Sequence, residues 1–229
     1  MSIKRYFQFN KYPRVAKQMI ISYKDVIRLK HKYPDLRNFT ALSTKTRDKL
    51  QPYHQRYTKD VSFSSMAISL KLAIFLDVIC NMIKPKAILD LGSGFSSFVF
   101  RRYAADAASK PITCSVDDSP EWLQKTRDFL LSHNTDTENL FLWDSFVENN
   151  NTIFDFILHD LSAGEKRNAT LNKALKFLKP GGVIVLDDAH SPVHDTYMKC
   201  RLRELNYKYY TLDSFTRDET GRYALLAAQ

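Results

Sequence analysis

Ile88-Leu89-Asp90-Leu91-Gly92-Ser93-Gly94-Phe95-Ser96-Ser97 is the stretch on which the fold turns. A short apolar run ends in a carboxylate, bends through two glycines, and opens at once into a helical pattern (Phe98, Val99, Tyr103). Two glycines permit a tight turn and close backbone approach to a ligand. Ser96 or Ser97 can cap the following helix, whose N-terminus carries partial positive charge. The third glycine of the dinucleotide fingerprint is missing, because Ser97 stands in its place. Asp90 would gain nothing from a dinucleotide phosphate, whereas a cationic amino-acid moiety would be attracted to it.

Downstream, short apolar strands alternate with helical patterns. The strands read as Ala87–Leu91, Ile112–Val116, Leu140–Trp143, Phe154–His159 and Val183–Leu186. This alternation predicts a parallel sheet with helices on both faces. Tyr207–Leu212 and Arg222–Ala227 flank Asp218-Glu219-Thr220-Gly221 and read as a closing hairpin. The second strand runs into Val116-Asp117-Asp118-Ser119-Pro120. Asp117 falls where a ribose-binding acid is expected in a nucleotide-binding sheet, and its carboxylate can accept from both ribose hydroxyls. Asp118 or Ser119 can cap the helix that follows.

Upstream the composition changes. Residues 1–60 hold 15 Lys and Arg against four Asp and Glu, so the net charge of +9 belongs to this extension. Pro13 suits a first helical turn, and Val15, Met19, Tyr23 and Val26 or Ile27 recur at helical spacing until Pro34. Asn38 to Asp60 is polar and reads as irregular or briefly helical. A further helix is expected over Ser64–Ile83, capped by Ser62 or Ser64. The division expected is a basic helical extension over 1–63 and a catalytic domain over 64–229. Tyr53, His54, Tyr57 and the Phe63 region precede the core and are candidates to reach its cleft.

No apolar run is long enough for a membrane span, and Met1-Ser2-Ile3-Lys4-Arg5-Tyr6 has no secretory character. Cys80, Cys114 and Cys200 are odd in number and widely spaced, with no CxxC pair. They are expected as buried thiols in a reducing compartment, with no zinc site and a cytoplasmic location.

Four motifs in order resemble the class I S-adenosylmethionine-dependent methyltransferases: Asp90-Leu91-Gly92-Ser93-Gly94, Val116-Asp117, Phe154 to Asp160, and Leu178-Lys179-Pro180-Gly181-Gly182-Val183-Ile184-Val185. The resemblance covers roughly residues 64–229. It implies a Rossmann-like, seven-stranded, mostly parallel α/β sheet with an antiparallel C-terminal strand, and S-adenosylmethionine as cofactor. Gly92, Ser93 and Gly94 would hold the methionine part, with Asp90 near its ammonium, and Asp117 the ribose. Asp144 and Ser145, after the third strand, would meet the adenine, with Asp118 beside it. Asp160 ends strand four, and Asp187 and Asp188 end strand five, where the chain resembles the catechol, caffeoyl-coenzyme-A and bacterial sugar O-methyltransferases. These three carboxylates could surround Mg²⁺ or another divalent cation that lowers the acceptor's pKa. Asp188 stands where those enzymes often carry Asn. The competing arrangement is a protein base, His159 or His190, flanking a catalytic Asp160 that holds the acceptor. The resemblance implies O-methylation of a small molecule or glycan precursor, which the basic extension would suit if it is anionic. The extension could otherwise lie on an anionic membrane surface or form a dimer contact. Nucleic acid is not expected, because no RNA-binding motif accompanies the charge. The alternatives are an RNA methyltransferase or a non-catalytic binding subunit on the same fold.

Overall fold

The computed structural model describes residues 11–229, with side chains from Ile20 onward. Met1 to Asn10, including Lys4 and Arg5, lies outside the described residues, as do the side chains of Val15, Lys17 and Met19. Seven strands form one sheet in the order β3-β2-β1-β4-β5-β7-β6. They are β1 (Ala87–Leu91), β2 (Ile112–Asp117), β3 (Leu140–Leu142), β4 (Phe154–His159), β5 (Leu178–Leu186), β6 (Lys208–Thr211) and β7 (Leu225–Ala228). The first five run parallel, and β7 runs antiparallel between β5 and β6. The expected alternation is therefore present, with an antiparallel C-terminal pair.

Strand residues alternate between two cores. Ile88, Phe156, Leu158, Val183, Val185 and Leu226 face one set of helices. Leu89, Leu91, Val116, Ile157, Ile184 and Leu186 face the other. The first face is covered by α1 (Lys11–Lys32), α2 (Phe39–Asp60), α3 (Leu70–Ile83), α4 (Phe95–Asp106) and α5 (Pro120–Ser132). The second is covered by α6 (Trp143–Asn149), α7 (Gly164–Lys176) and α8 (Pro192–Glu204). A single turn, α9 (Asp213–Thr216), links β6 toward β7.

The extension departs from its sequence reading. Residues 39–60 form a continuous helix that includes Pro52, not an irregular segment. Its inward stripe is Leu42, Thr46, Leu50, Tyr53 and Tyr57, a helical period carrying too few strongly apolar residues to stand out. Conversely, residues 64–69 are not helical. The core helix starts at Leu70, and Ser69, not Ser62 or Ser64, caps it by accepting from Leu72 N at 3.1 Å. Leu29, Leu36, Leu50 and Tyr57 share one apolar core with the sheet, so the extension is packed onto it. Cys80 and Cys114 are buried as expected, but Cys200 is exposed on α8. Among the described residues no helix is long and apolar enough to cross a membrane.

α1 also protects an edge. β6 is an outer strand, and exposed edge groups invite pairing with another chain. Asp25, the single acid of α1, is buried and accepts from Thr211 N of β6 at 2.9 Å. Asp25→Ala would leave that buried N–H unpaired and should destabilise the fold by about 1–3 kcal/mol. A lowered urea midpoint with an unchanged slope is the expected measurement.

Candidate active site

Strand order reverses between β1 and β4, and such a switch point opens a crevice at the carboxyl ends of the strands. A cleft of about 400 Å³ lies there. Gly92, Ser93, Gly94, Asp117, Asp118, Asp160, Asp187 and Asp188 line it together with Tyr57, Trp122 and Arg167.

The two central strand ends touch through backbone. Asp160 N donates to Leu91 O at 2.6 Å, and Gly92 N donates to Val116 O at 2.8 Å. Gly92 has φ +102°, and a Cβ there would sit 2.6 Å from the carbonyl carbon and oxygen of Asp160. Only glycine satisfies both the backbone angle and the contact. Gly94 is covered from above, since a Cβ there would meet the Tyr57 hydroxyl at 2.9 Å.

Asp90 is buried beneath this bend. Its Oδ2 accepts from Ser97 Oγ at 2.6 Å, while its Oδ1 is buried without a partner. Ser97 Oγ also receives Gly94 N at 3.2 Å, so Ser97 ties the bend to the carboxylate, and Ser96 does not cap the helix. Burial pushes the Asp90 pKa up to about 6, against the opposing bond from Ser97. Behind it Arg101, itself buried, donates to Ser115 Oγ and to Glu138 O, both at 2.7 Å.

Asp117 is committed locally. Its Oδ2 accepts from Ser93 N at 2.8 Å and Ser93 Oγ at 3.0 Å, and its Oδ1 accepts from Ser119 N at 2.9 Å. Burial raises its pKa, and these bonds oppose the rise. One lone pair of Oδ1 stays open, so a ligand diol would have to displace the Ser93 hydroxyl to engage both oxygens. Ser119, not Asp118, caps α5 through Trp122 N. Asp118 instead bridges the cleft to Ser162 Oγ and to Lys166 Nζ at 2.5 Å. Burial opposes its ionisation, but those two partners outweigh that and hold its pKa low.

The acids at the ends of β4 and β5 do converge, but around a side chain the sequence reading passed over. Arg167, on α7 and only 7% exposed, reaches into the cleft. It donates to Asp160 Oδ1 at 2.7 Å, to Asp188 Oδ2, and to the Ser162 carbonyl through Nε at 2.8 Å. Burial pushes Arg167 toward neutrality, and Asp160, Asp188 and Asp187 more than reverse it, so it stays cationic. Three acids share one cation, and burial raises both Asp160 and Asp187, the latter to about 6 with help from Asp188. Among the described residues no group of three or more His, Cys, Asp or Glu is arranged to hold a metal ion. The expected Asp160, Asp187 and Asp188 metal set is corrected accordingly, because a guanidinium sits between two of its members. Arg167, Thr170, Leu171 and Ala174 form the buried stripe of α7, and an arginine on that stripe was the available signal.

Neither histidine enters the cleft lining. His159 is fully buried on the α7 side, where Nε2 meets Thr170 Oγ1 at 2.9 Å. Burial first, then Arg167, depresses its pKa to about 3. Strand alternation therefore sends His159 away from the neighbouring Asp160, which removes it as a base in the cleft. His190 is exposed beside Asp188, with Nδ1 3.5 Å from Oδ1. Asp144 and Ser145 are exposed on α6 outside the cleft, and Trp143 is buried beneath. Apolar groups that do line the cleft include Trp122 and Met66.

Residues 62–68 wall the mouth. Arg222 holds them by donating to the carbonyls of Ser64, Ser65 and Ala67 at 2.9, 3.0 and 3.2 Å, while Asp218 Oδ2 orients its Nε at 2.8 Å. His54 supports the same wall, its Nε2 2.9 Å from Ile68 O. Tyr53 packs on Phe98, and Phe63 is exposed.

No family model matches the chain, and no curated protein matches it. Solved structures do. An O-methyltransferase from Bacillus cereus in complex with SAH aligns with a TM-score of 0.61 at 18% identity, over 84% of this chain and 98% of that one. An SAH-bound methyltransferase from Podospora anserina aligns at 0.63 and 14%, over 80% and 88%. A caffeoyl-CoA O-methyltransferase-like structure from Staphylococcus aureus aligns at 0.57 and 13%, over 80% and 91%. At these identities the likeness establishes the fold, which is that of class I methyltransferases.

Gly92→Ala is expected to force the β4 loop off the bend. The positive φ alone costs about 1–3 kcal/mol, and the contact with Asp160 backbone adds to it. Equilibrium unfolding of the variant should show a loss at or above that range.

Proposed function

We propose that this chain is an S-adenosylmethionine-dependent methyltransferase that methylates a hydroxyl of a small molecule. The observation carrying the proposal is the pocket under Tyr57, where the glycine bend and the open lone pair of Asp117 come together at the switch point, with the unpartnered Oδ1 of Asp90 buried beneath the bend. Cofactor-bound neighbours of the same fold support it. The residues fit the cofactor: the Asp90 carboxylate beneath the bend would attract a cationic ammonium, the bend offers a cradle that any Cβ would fill, and Trp122 and Met66 offer apolar surface for a base. A cleft of about 400 Å³ falls within the usual range of small-molecule sites, about 300–1,000 Å³.

When bound, S-adenosylmethionine supplies an electrophilic sulfonium methyl. The chain's own task is to hold an acceptor oxygen in line and to take its proton. Asp187 is placed for the second role: it lines the cleft, and only its Oδ1 is engaged, by Asp188 N at 2.7 Å. The wall held by Arg222 and the Asp118 bridge would exclude water from the two reactants.

Calorimetric titration with S-adenosylmethionine tests the reading, and an absence of binding would overturn it. Asp90→Asn removes the attraction for the ammonium and should weaken binding about tenfold, corresponding to about 1.4 kcal/mol. The pH dependence has a definite sign. Attraction of an ammonium needs ionised Asp90, and its pKa is raised to about 6. Affinity should therefore hold above pH 6, fall as the pH drops through that value, and lose this dependence in Asp90→Asn. Asp187→Asn should lower kcat by about 10²–10⁴ with an unchanged dissociation constant for the cofactor.

A further inference from the structure

We propose that Arg167 is a built-in cation that replaces a divalent metal in this site and binds the acceptor oxygen. The metal-exclusion half stands on geometry alone, and the acceptor half rests on the methyl-transfer reading above.

A hard cation at these strand ends would need Asp160 and Asp188 as ligands. Both are already paired with one guanidinium, at Asp160 Oδ1 and Asp188 Oδ2. The guanidinium is fixed from behind as well: Nε and Nη2 donate to the Ser162 carbonyl at 2.8 and 2.5 Å, and Nη2 approaches the Asp160 carbonyl at 3.2 Å. Ser162 adopts φ +60°, which turns its carbonyl to the arginine, while its hydroxyl is held by Asp118. A side chain bound at this many points and 7% exposed does not vacate its place at low cost, because each buried acid would lose its counter-charge.

The arrangement also leaves something over. A guanidinium has five N–H donors in a planar fork. Nε uses one, Nη2 uses two, and Nη1 uses one on Asp188. The second Nη1 hydrogen has no partner among the described residues, and Arg167 lines the cleft. A fixed donor carrying positive charge can hold an acceptor hydroxyl and stabilise the negative charge it gains as its proton leaves. Asp187, the one acid of the three that makes no hydrogen bond or ion pair with Arg167, is then free to receive that proton. The same cation thus performs both tasks usually given to a metal, orientation and charge stabilisation, without a metal.

The test is Mn²⁺ binding to the whole chain, followed by electron paramagnetic resonance, with S-adenosylmethionine affinity measured in parallel. Wild type should take up no Mn²⁺ in the millimolar range. Arg167→Ala should bind one Mn²⁺ at least about tenfold more tightly than wild type, and added guanidinium chloride should displace it. Arg167→Gln, which keeps donors but drops the charge, repeats the comparison if the alanine variant does not fold. Tight Mn²⁺ binding by wild type, equal to that of the variants, would mean the arginine yields to a metal and would overturn the proposal. Variants that fold and gain no Mn²⁺ would overturn it equally. Cofactor affinity should be unchanged in the Arg167 variants, so loss of cofactor binding by wild type would instead count against the methyl-transfer reading.

Discussion

The cleft edge of this protein depends on how closely the ends of β1 and β4 approach. Asp160 N bonds to Leu91 O at 2.6 Å, and the Asp160 carbonyl occupies the space a side chain at Gly92 would need. With that contact in place, the bend at Gly92–Gly94, the Asp117 turn and the carboxylates of β4 and β5 face a single cleft. Without it they would be four separate loop ends. A methyl group can be passed only if donor and acceptor share one enclosed space, so the contact bears directly on the proposed chemistry.

The cleft is strongly acidic, and two arginines answer that acidity in different ways. Arg101 lies behind the glycine bend and ties α4 to β2 and to the Glu138 carbonyl. Arg167 lies in the cleft and is shared among the acids of β4 and β5. Asp90 keeps one oxygen without a partner, and Asp187 is engaged only through a backbone amide. These are the two acids with work left to do in the proposed reaction. Burial without full compensation raises both pKa values to about 6.

The basic extension is part of the machine and shares its core. Its one acidic residue in α1, Asp25, is turned inward to bond the edge strand, while Tyr57 of α2 closes over Gly94. Aromatic contacts of Tyr57 with Phe95 and Phe129 fix that ring above the bend. Charge therefore describes the outer face of the extension, and a sparse row of apolar and aromatic residues determines where it sits.

The order of the elements, the glycine bend, and the positions of Asp90, Asp117, Asp160 and Asp187 at strand ends were legible in the amino-acid sequence. Each is set by local chemistry: alternating apolar runs for the strands, glycine for a positive φ, acids where a strand leaves the core. The helix over Phe39–Asp60 was hidden because its buried stripe is diluted by polar residues and because Pro52, a usual helix breaker, stands within it on the exposed face. Asp144 and His159 were misread because a side chain's direction depends on strand register and on where a strand ends, and one residue reverses the face. Arg167 is the clearest case of what tertiary structure alone decides. In sequence it is one more arginine on a polar helix, and only the packing of α7 against β4 and β5 sets its charge among Asp160, Asp187 and Asp188, which end two different strands. Local pattern determines which elements form, whereas the charge balance of a site is settled by contacts between elements that no local pattern encodes.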